Sequence, residues 1–326
     1  MADKQTSRRH HGAAGAIVVA VLVASISFPI GAGATAKRAI SSSPDAALHT
    51  IAECLNRGGR DVGVSGLQVG RFTADVVANE VVDAQTAMWL QVNNWPVSFS
   101  GGAGACWLGG RVMGTYPQKT PWADFHHTGG LNFQNERMTI AGLRVHNYGD
   151  GIRVRDGARD FRITGVHLSF MHDDCVENDQ LYSGTVEDSL LDGCYVAFSA
   201  RPSSGDNVDG RNNTYTIQHN VVRLKPTPTV YKGKAPGHGG FFKWDEGGRA
   251  PKLVVRDNVF RVDQRPNHQT LGLPSGYRLK CSNNVVVWLG KGRYPDHLPK
   301  CFKVTRDRRV WDRAVAAWNA AHPMNP

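Results

Sequence analysis

A length of 326 residues with 36 Gly and 16 Pro suits one large domain or two small ones, and the formal net charge of +10 makes the chain basic. Its Lys and Arg form no run of five or six and no nucleic-acid module can be read, which argues against DNA or RNA and for an anionic polymer as the partner.

The chain opens on an export signal. Lys4, Arg8 and Arg9 form a basic start, residues 13 to 28 are apolar, and Ala34-Thr35-Ala36 is a small-residue cleavage site. The apolar run is shorter than the roughly 20 residues a membrane span needs, and Pro29 and Gly31 interrupt its end. Residues 1–36 are therefore read as a signal peptide, with a secreted, periplasmic or cell-surface mature protein and no later stretch able to span a membrane. Cleavage removes Lys4, Arg8, Arg9 and Asp3, so the mature chain stays basic.

Residues 37–60 carry a helix. Ser43-Pro44-Asp45 reads as its N-cap and first turn, Leu48, Ile51, Ala52 and Leu55 as its apolar stripe, and Gly58 as its end. From residue 61 to 305 one pattern recurs: Ile140-Ala-Gly-Leu143, Ile163-Thr-Gly-Val166, Val186-Glu-Asp-Ser189, Ile217-Gln-His-Asn220, Val255-Arg-Asp-Asn258 and Cys281-Ser-Asn-Asn284. A period in the low twenties, with Gly, Asp, Asn and Ser at the turns, marks a β-solenoid. The expected fold is all-β, a right-handed parallel β-helix with a capping α-helix at each end. Insertions at 199–213 and 225–240 lengthen one coil and serve as groove walls. Residues 306–326 supply the second cap, with Val310, Trp311, Ala314, Val315 and Trp318 at helical spacing before Pro323.

Six cysteines (Cys54, Cys106, Cys175, Cys194, Cys281, Cys301) in an exported chain point to disulfides. The pairing is open, although Cys175 with Cys194 and Cys281 with Cys301 have the separation of neighbouring coils. No Cys-x-x-Cys occurs and no Cys has His at ligand spacing, so a metal site on cysteine is disfavoured.

From about residue 90 to 305 the chain resembles the pectin-lyase-like superfamily of secreted β-helix proteins, and one neighbourhood resembles the polygalacturonases. Tyr148-Gly149-Asp150-Gly151-Ile152 is followed one coil later by His172-Asp173-Asp174-Cys175-Val176. The resemblance implies catalytic roles for Asp150, Asp173 and Asp174. It departs where the family has Gly-His-Gly, since this chain has Asp192-Gly193-Cys194 there; Gly237-His238-Gly239 comes about a coil late. No Arg-Ile-Lys follows, and Lys243 is the nearest basic group, so His238 and Lys243 carry over only by analogy.

Carboxylates at one point of successive coils lie about 5 Å apart, or about 10 Å across two coils. That brackets the roughly 6.5 to 9.5 Å between the acid and base of inverting glycosidases, and like-charge crowding raises one carboxyl as a general acid requires. Glu177 joins the candidates because the run from His172 to Asp179 carries more polar groups than one turn needs. The competing structural role is capping of turn backbone by Asp. Calcium is an alternative occupant of the same carboxylates; no other cofactor is implied. For substrate binding the candidates are Arg153, Arg201, Tyr231, Lys232, Lys234 and Trp244, with Lys232, Lys234 or Arg201 as the base of a β-elimination. The leading expectation is a lyase or hydrolase acting on an acidic polysaccharide; the alternative is a non-catalytic glycan-binding, adhesive or structural β-helix.

Overall fold

Each repeat turns at a residue whose backbone is left-handed. Gly142, Gly165, Asp188, His219, Asp257 and Asn283 have φ between 46° and 71°, a conformation that Gly, Asn and Asp adopt most readily. The computed structural model describes residues 52–90, 94–203, 206–227, 236–245, 248–266, 271–274 and 278–323. In it these corners bend the chain into a parallel β-helix with three sheets.

In sheet A the recurring residues are direct partners: Ile140, Ile163, Val186, Ile217, Val255 and Cys281 stack in one row. Sheet B stacks Val145, Leu168, Leu191, Val222, Phe260 and Val286. Sheet C stacks Val97, Leu131, Ile152, Val176, Phe198 and Phe242. With Cys281 as the half-exposed exception, these side chains are buried and meet on the axis. There Phe133, Phe161, Tyr215 and Trp244 form a continuous aromatic column.

The corner between sheets A and B is held by a ladder. Buried Asn220 donates from Nδ2 to Asn258 Oδ1 (3.1 Å), and Asn258 to Asn284 Oδ1 (2.9 Å). The same oxygens accept the backbone N–H groups of Asn220 and Asn258, so the corner leaves these donors satisfied away from water.

Three disulfides, Cys54 to Cys106, Cys175 to Cys194 and Cys281 to Cys301, use all six cysteines and suit an oxidising, extracellular environment. Among the described residues no helix is long and apolar enough to cross a membrane. The expected signal peptide and the Ser43 to Ile51 part of the first helix lie outside the described residues.

The described parts of both helices pack against the outer faces of the sheets. Residues 52–55 are helical and fastened to sheet A through Cys54 and through the Glu53 to Arg162 ion pair. The C-terminal helix Arg308–Ala321 starts at Asp307, whose side chain accepts from Arg309 N. Its Trp311 and Trp318 bury the outward apolar residues Leu190, Val221, Val259 and Val287 of sheet B. Trp318 Nε1 donates to Asp188 O (2.8 Å), and Arg144 to His322 O (2.8 Å). Fourteen residues span about 21 Å at 1.5 Å each, or about four coils of ~4.8 Å, so the helix runs back along the stack. An exposed apolar row on sheet B is what calls it there.

Substituting Asn258→Ala orphans groups on both neighbouring coils and is expected to cost about 3 kcal/mol, at roughly 1–3 kcal/mol per buried unsatisfied group. Denaturant unfolding checks this; a loss below about 0.5 kcal/mol would show the ladder to be incidental.

Candidate active site: a carboxyl cluster on sheet C

Strands His167–Glu177 and Leu190–Ala200 run unbroken around the corner from sheet B into sheet C. The coil immediately before them turns the same corner in residues 147–149, and the coil before that interposes the first wall, residues 114–128; after them, residues 225–227 and 236–241 are the described part of the next connection. The acidic residues lie just past this corner, on strand Asp150–Val154 and on and after strand His167–Glu177. Gly149 shows how closely the first wall approaches: a Cβ there would strike Phe125 O and Thr128 O, and Gly149 N donates to Thr128 Oγ1 at 2.9 Å.

Asp150, Asp174, Glu177 and Asp179 are buried, and Asp173 is half-buried. Asp150 Oδ1 accepts the backbone N–H of Asp174 on the next coil (3.2 Å). Arg153 Nε lies 2.9 Å from Glu177 Oε2, directly beneath it in register. Asp179 accepts from Ser199 Oγ (3.3 Å) and Ser203 Oγ (3.1 Å). Lys243 stands in register with Ser199, which stands in register with Glu177. From there its ammonium reaches Asp174 Oδ2 at 2.5 Å.

Crowding and burial set the protonation states. Burial raises the Asp150 carboxyl well above the usual range, assisted by the charges of Glu177, Asp173 and Asp174 and by a shared hydrogen bond with Glu177. Asp173 is raised by desolvation and then by Asp174; Asp174 is raised by desolvation against the opposing pull of Lys243. Desolvation, then the charge of Glu177, lifts Asp179 to about 7. Desolvation lowers both cations, but the acids around them win: Lys243 is raised by Asp174, Asp173 and Asp179, and Arg153 by Glu177 and Asp150. Both bases stay charged, because each carboxylate gains more from the cation than the cation loses on burial.

Beside the cluster opens a cleft of about 420 Å³ lined by Trp95, Asn132, Arg153, Arg155, Asp156 and Asp179 among others. The Trp95 ring lies against Gly129, where a Cβ would collide with it, and the Arg153 guanidinium sits 5.9 Å from its centroid. An aromatic face, two guanidiniums and a protonated carboxyl therefore share one opening.

No family model matches the chain, and no curated protein or solved structure matches it significantly.

The structure brings together Asp150, Asp173, Asp174, Glu177, Lys243 and Arg153. Arg201 is exposed and close enough to act on Asp174 electrostatically. His238 is separate: it is buried, its Nδ1 meets Gly239 O at 2.9 Å, and burial lowers its pKa against backbone hydrogen bonds with Gly239 and Gln264 and the charge of Asp263. Trp244 is corrected from binding residue to core residue, stacked on Tyr215 with Nε1 donating to Pro251 O (3.1 Å). Tyr231, Lys232 and Lys234 lie outside the described residues. Among the described residues no group of three or more His, Cys, Asp or Glu is arranged to hold a metal ion, and Asp174, one of the carboxylates offered to calcium, is in contact with the Lys243 ammonium. Asp179, Trp95 and the 114–128 wall are not among the residues the sequence singles out. Asp179 is visible there as the last acid of its run, but its partners come from the next coil.

Removing one partner of a buried ion pair typically costs 3–5 kcal/mol. Lys243 keeps some exposure, 22% against 1% for Asp174, so Lys243→Met is expected to cost about 2 kcal/mol in denaturant unfolding, more at pH 8 than at pH 5, because Asp174 ionises unpaired. An equal cost at both pH values contradicts the pairing.

Asp179 titrates near 7 when folded and near 4 when unfolded. Between those values the folded state holds a proton that the unfolded state has released, so stability falls as pH rises from about 4 to about 7. Asp179→Asn is expected to flatten that fall in a series of unfolding curves.

Proposed function

We propose that the protein is an extracytoplasmic carbohydrate-active enzyme that hydrolyses an acidic polysaccharide in the sheet C cleft, with Asp179 as general acid. The observation that carries this reading is a carboxyl held near pKa 7 at the mouth of a cleft furnished with Trp95, Arg153 and Arg155. An acid poised near the working pH protonates a glycosidic oxygen efficiently. Trp95 offers a face for a sugar ring. Arg153 and Arg155 offer planar forks for a uronate carboxylate. Glu177, ion-paired to Arg153 and hydrogen-bonded to Asp179, is the neighbour that helps hold the proton on Asp179.

Hydrolysis is favoured over β-elimination because an eliminating enzyme needs a base that loses its proton, and among the described residues the two cations in contact with the cluster, Lys243 and Arg153, are held charged by the acids around them. The likeness of Asp150, Asp173 and Asp174 to the polygalacturonase positions within the pectin-lyase-like superfamily supports the same chemistry. Residues 1–36 serve as the signal peptide in this reading, and the three disulfides support a location outside the cytoplasm.

The test is activity of the mature protein on a panel of acidic polysaccharides, following reducing ends and unsaturated-uronate absorbance together, with and without calcium. The expected outcome is new reducing ends without absorbance, lowered in Asp179→Asn by about 10²–10⁴-fold, the usual worth of a general acid, with loss of the limb near pH 7. Calcium-dependent absorbance would replace hydrolysis by elimination; silence on every polymer would leave a glycan-binding β-helix.

A further inference from the structure

The positive charge of this chain is not spread over it. Between residues 249 and 313 stand fifteen Lys and Arg against five Asp and Glu, an excess equal to the +10 of the whole chain. These residues form the last coils, from strand Lys252–Arg256 to strand Phe302–Thr305, and the first turn and a half of the C-terminal helix. Lys280, Lys291, Arg293, Lys300, Lys303 and Arg306 are all exposed there.

The pole is also built to present them. Strand Phe302–Thr305 pairs only with Asn284–Trp288 and so ends the stack among the described residues. The loop that carries Lys291 and Arg293 is tied to it by Arg306, which donates to Gly292 O (2.5 Å) and Gly290 O (2.8 Å), and strand 302–305 is tied back by the Cys281 to Cys301 disulfide. Fixed cations lose less entropy on meeting a polyanion than free ones do. The carboxyl cluster gives the opposite field. It lies four to five coils away, roughly 20 Å at ~4.8 Å per coil, well beyond the ~8 Å screening length at physiological salt.

We propose that these terminal coils are a docking pole for a linear anionic polysaccharide, separate from the sheet C cleft and independent of whether that cleft is catalytic. The three disulfides favour a polymer found outside the cytoplasm over a nucleic acid. Among the described residues of these coils Val304 is the one exposed large apolar side chain, too little for insertion into a lipid surface.

Polygalacturonate immobilised on a sensor, titrated with the mature protein over a series of salt concentrations, is the test. The triple variant Lys291→Glu, Lys300→Glu, Lys303→Glu is expected to bind at least tenfold more weakly at 0.15 M salt. Its plot of log affinity against log salt should be shallower by about two to three, at roughly 0.7–0.9 for each polyanion charge no longer neutralised. Arg71→Glu, Lys119→Glu, Arg137→Glu makes the same change of net charge on early coils and is expected to bind like the unmodified protein. Both triple variants leave Asp179 and the cleft residues untouched, so a difference between them cannot come from the cleft, and thermal unfolding confirms that each variant is folded. Equal weakening by both triple variants would reduce the effect to net charge and overturn the pole, as would unchanged binding by the first. Equally tight binding of duplex DNA or anionic vesicles through the same lysines would overturn the assignment to a polysaccharide.

Discussion

A rise of about 4.8 Å per coil brings residues some two dozen positions apart in sequence into direct contact at the same point of the circuit. Apolar residues at such points fuse into the three interior rows, asparagines become a ladder, and cysteines become disulfides. Acids at such points become a cluster whose members cannot all ionise. The site is thus a consequence of the same stacking that makes the fold. Its cost, several carboxyls crowded in low dielectric, is met by protonation of some and by Lys243 and Arg153 reaching in from neighbouring coils.

The partition of the cluster follows from reach. Lys243 has a stem long enough to neutralise Asp174 from two coils on, which leaves Asp179 with hydroxyl donors and a carboxyl neighbour but, among the described residues, no ion pair. Its proton is consequently retained to about pH 7.

The repeat and its corners were legible in sequence because the left-handed backbone restricts residue choice, and the spacing of Ile140, Ile163, Val186, Ile217, Val255 and Cys281 is the register of sheet A itself. The helices were legible as helices, but an amphipathic stripe does not say which surface it covers. Trp311 and Trp318 answer to Leu190, Val221 and Val259, a row whose outward direction emerges only once the strands alternate in a sheet. Trp244 looked like a sugar platform beside Lys243, yet the alternation that turns Lys243 outward turns Trp244 into the core. Asp179 and Trp95 went unread for a related reason: their neighbours Ser199, Ser203 and Gly129 come from other coils.

The central claim is that the cleft bounded by Trp95, Arg153 and Asp179 receives a sugar acid. The most direct measurement is a crystal structure of the Asp179→Asn protein soaked with an oligogalacturonate. The account predicts a ring on the Trp95 face, its carboxylate against Arg153 or Arg155, and a glycosidic oxygen within hydrogen-bond distance of residue 179. An oligosaccharide ordered elsewhere while the cleft stays open would contradict it.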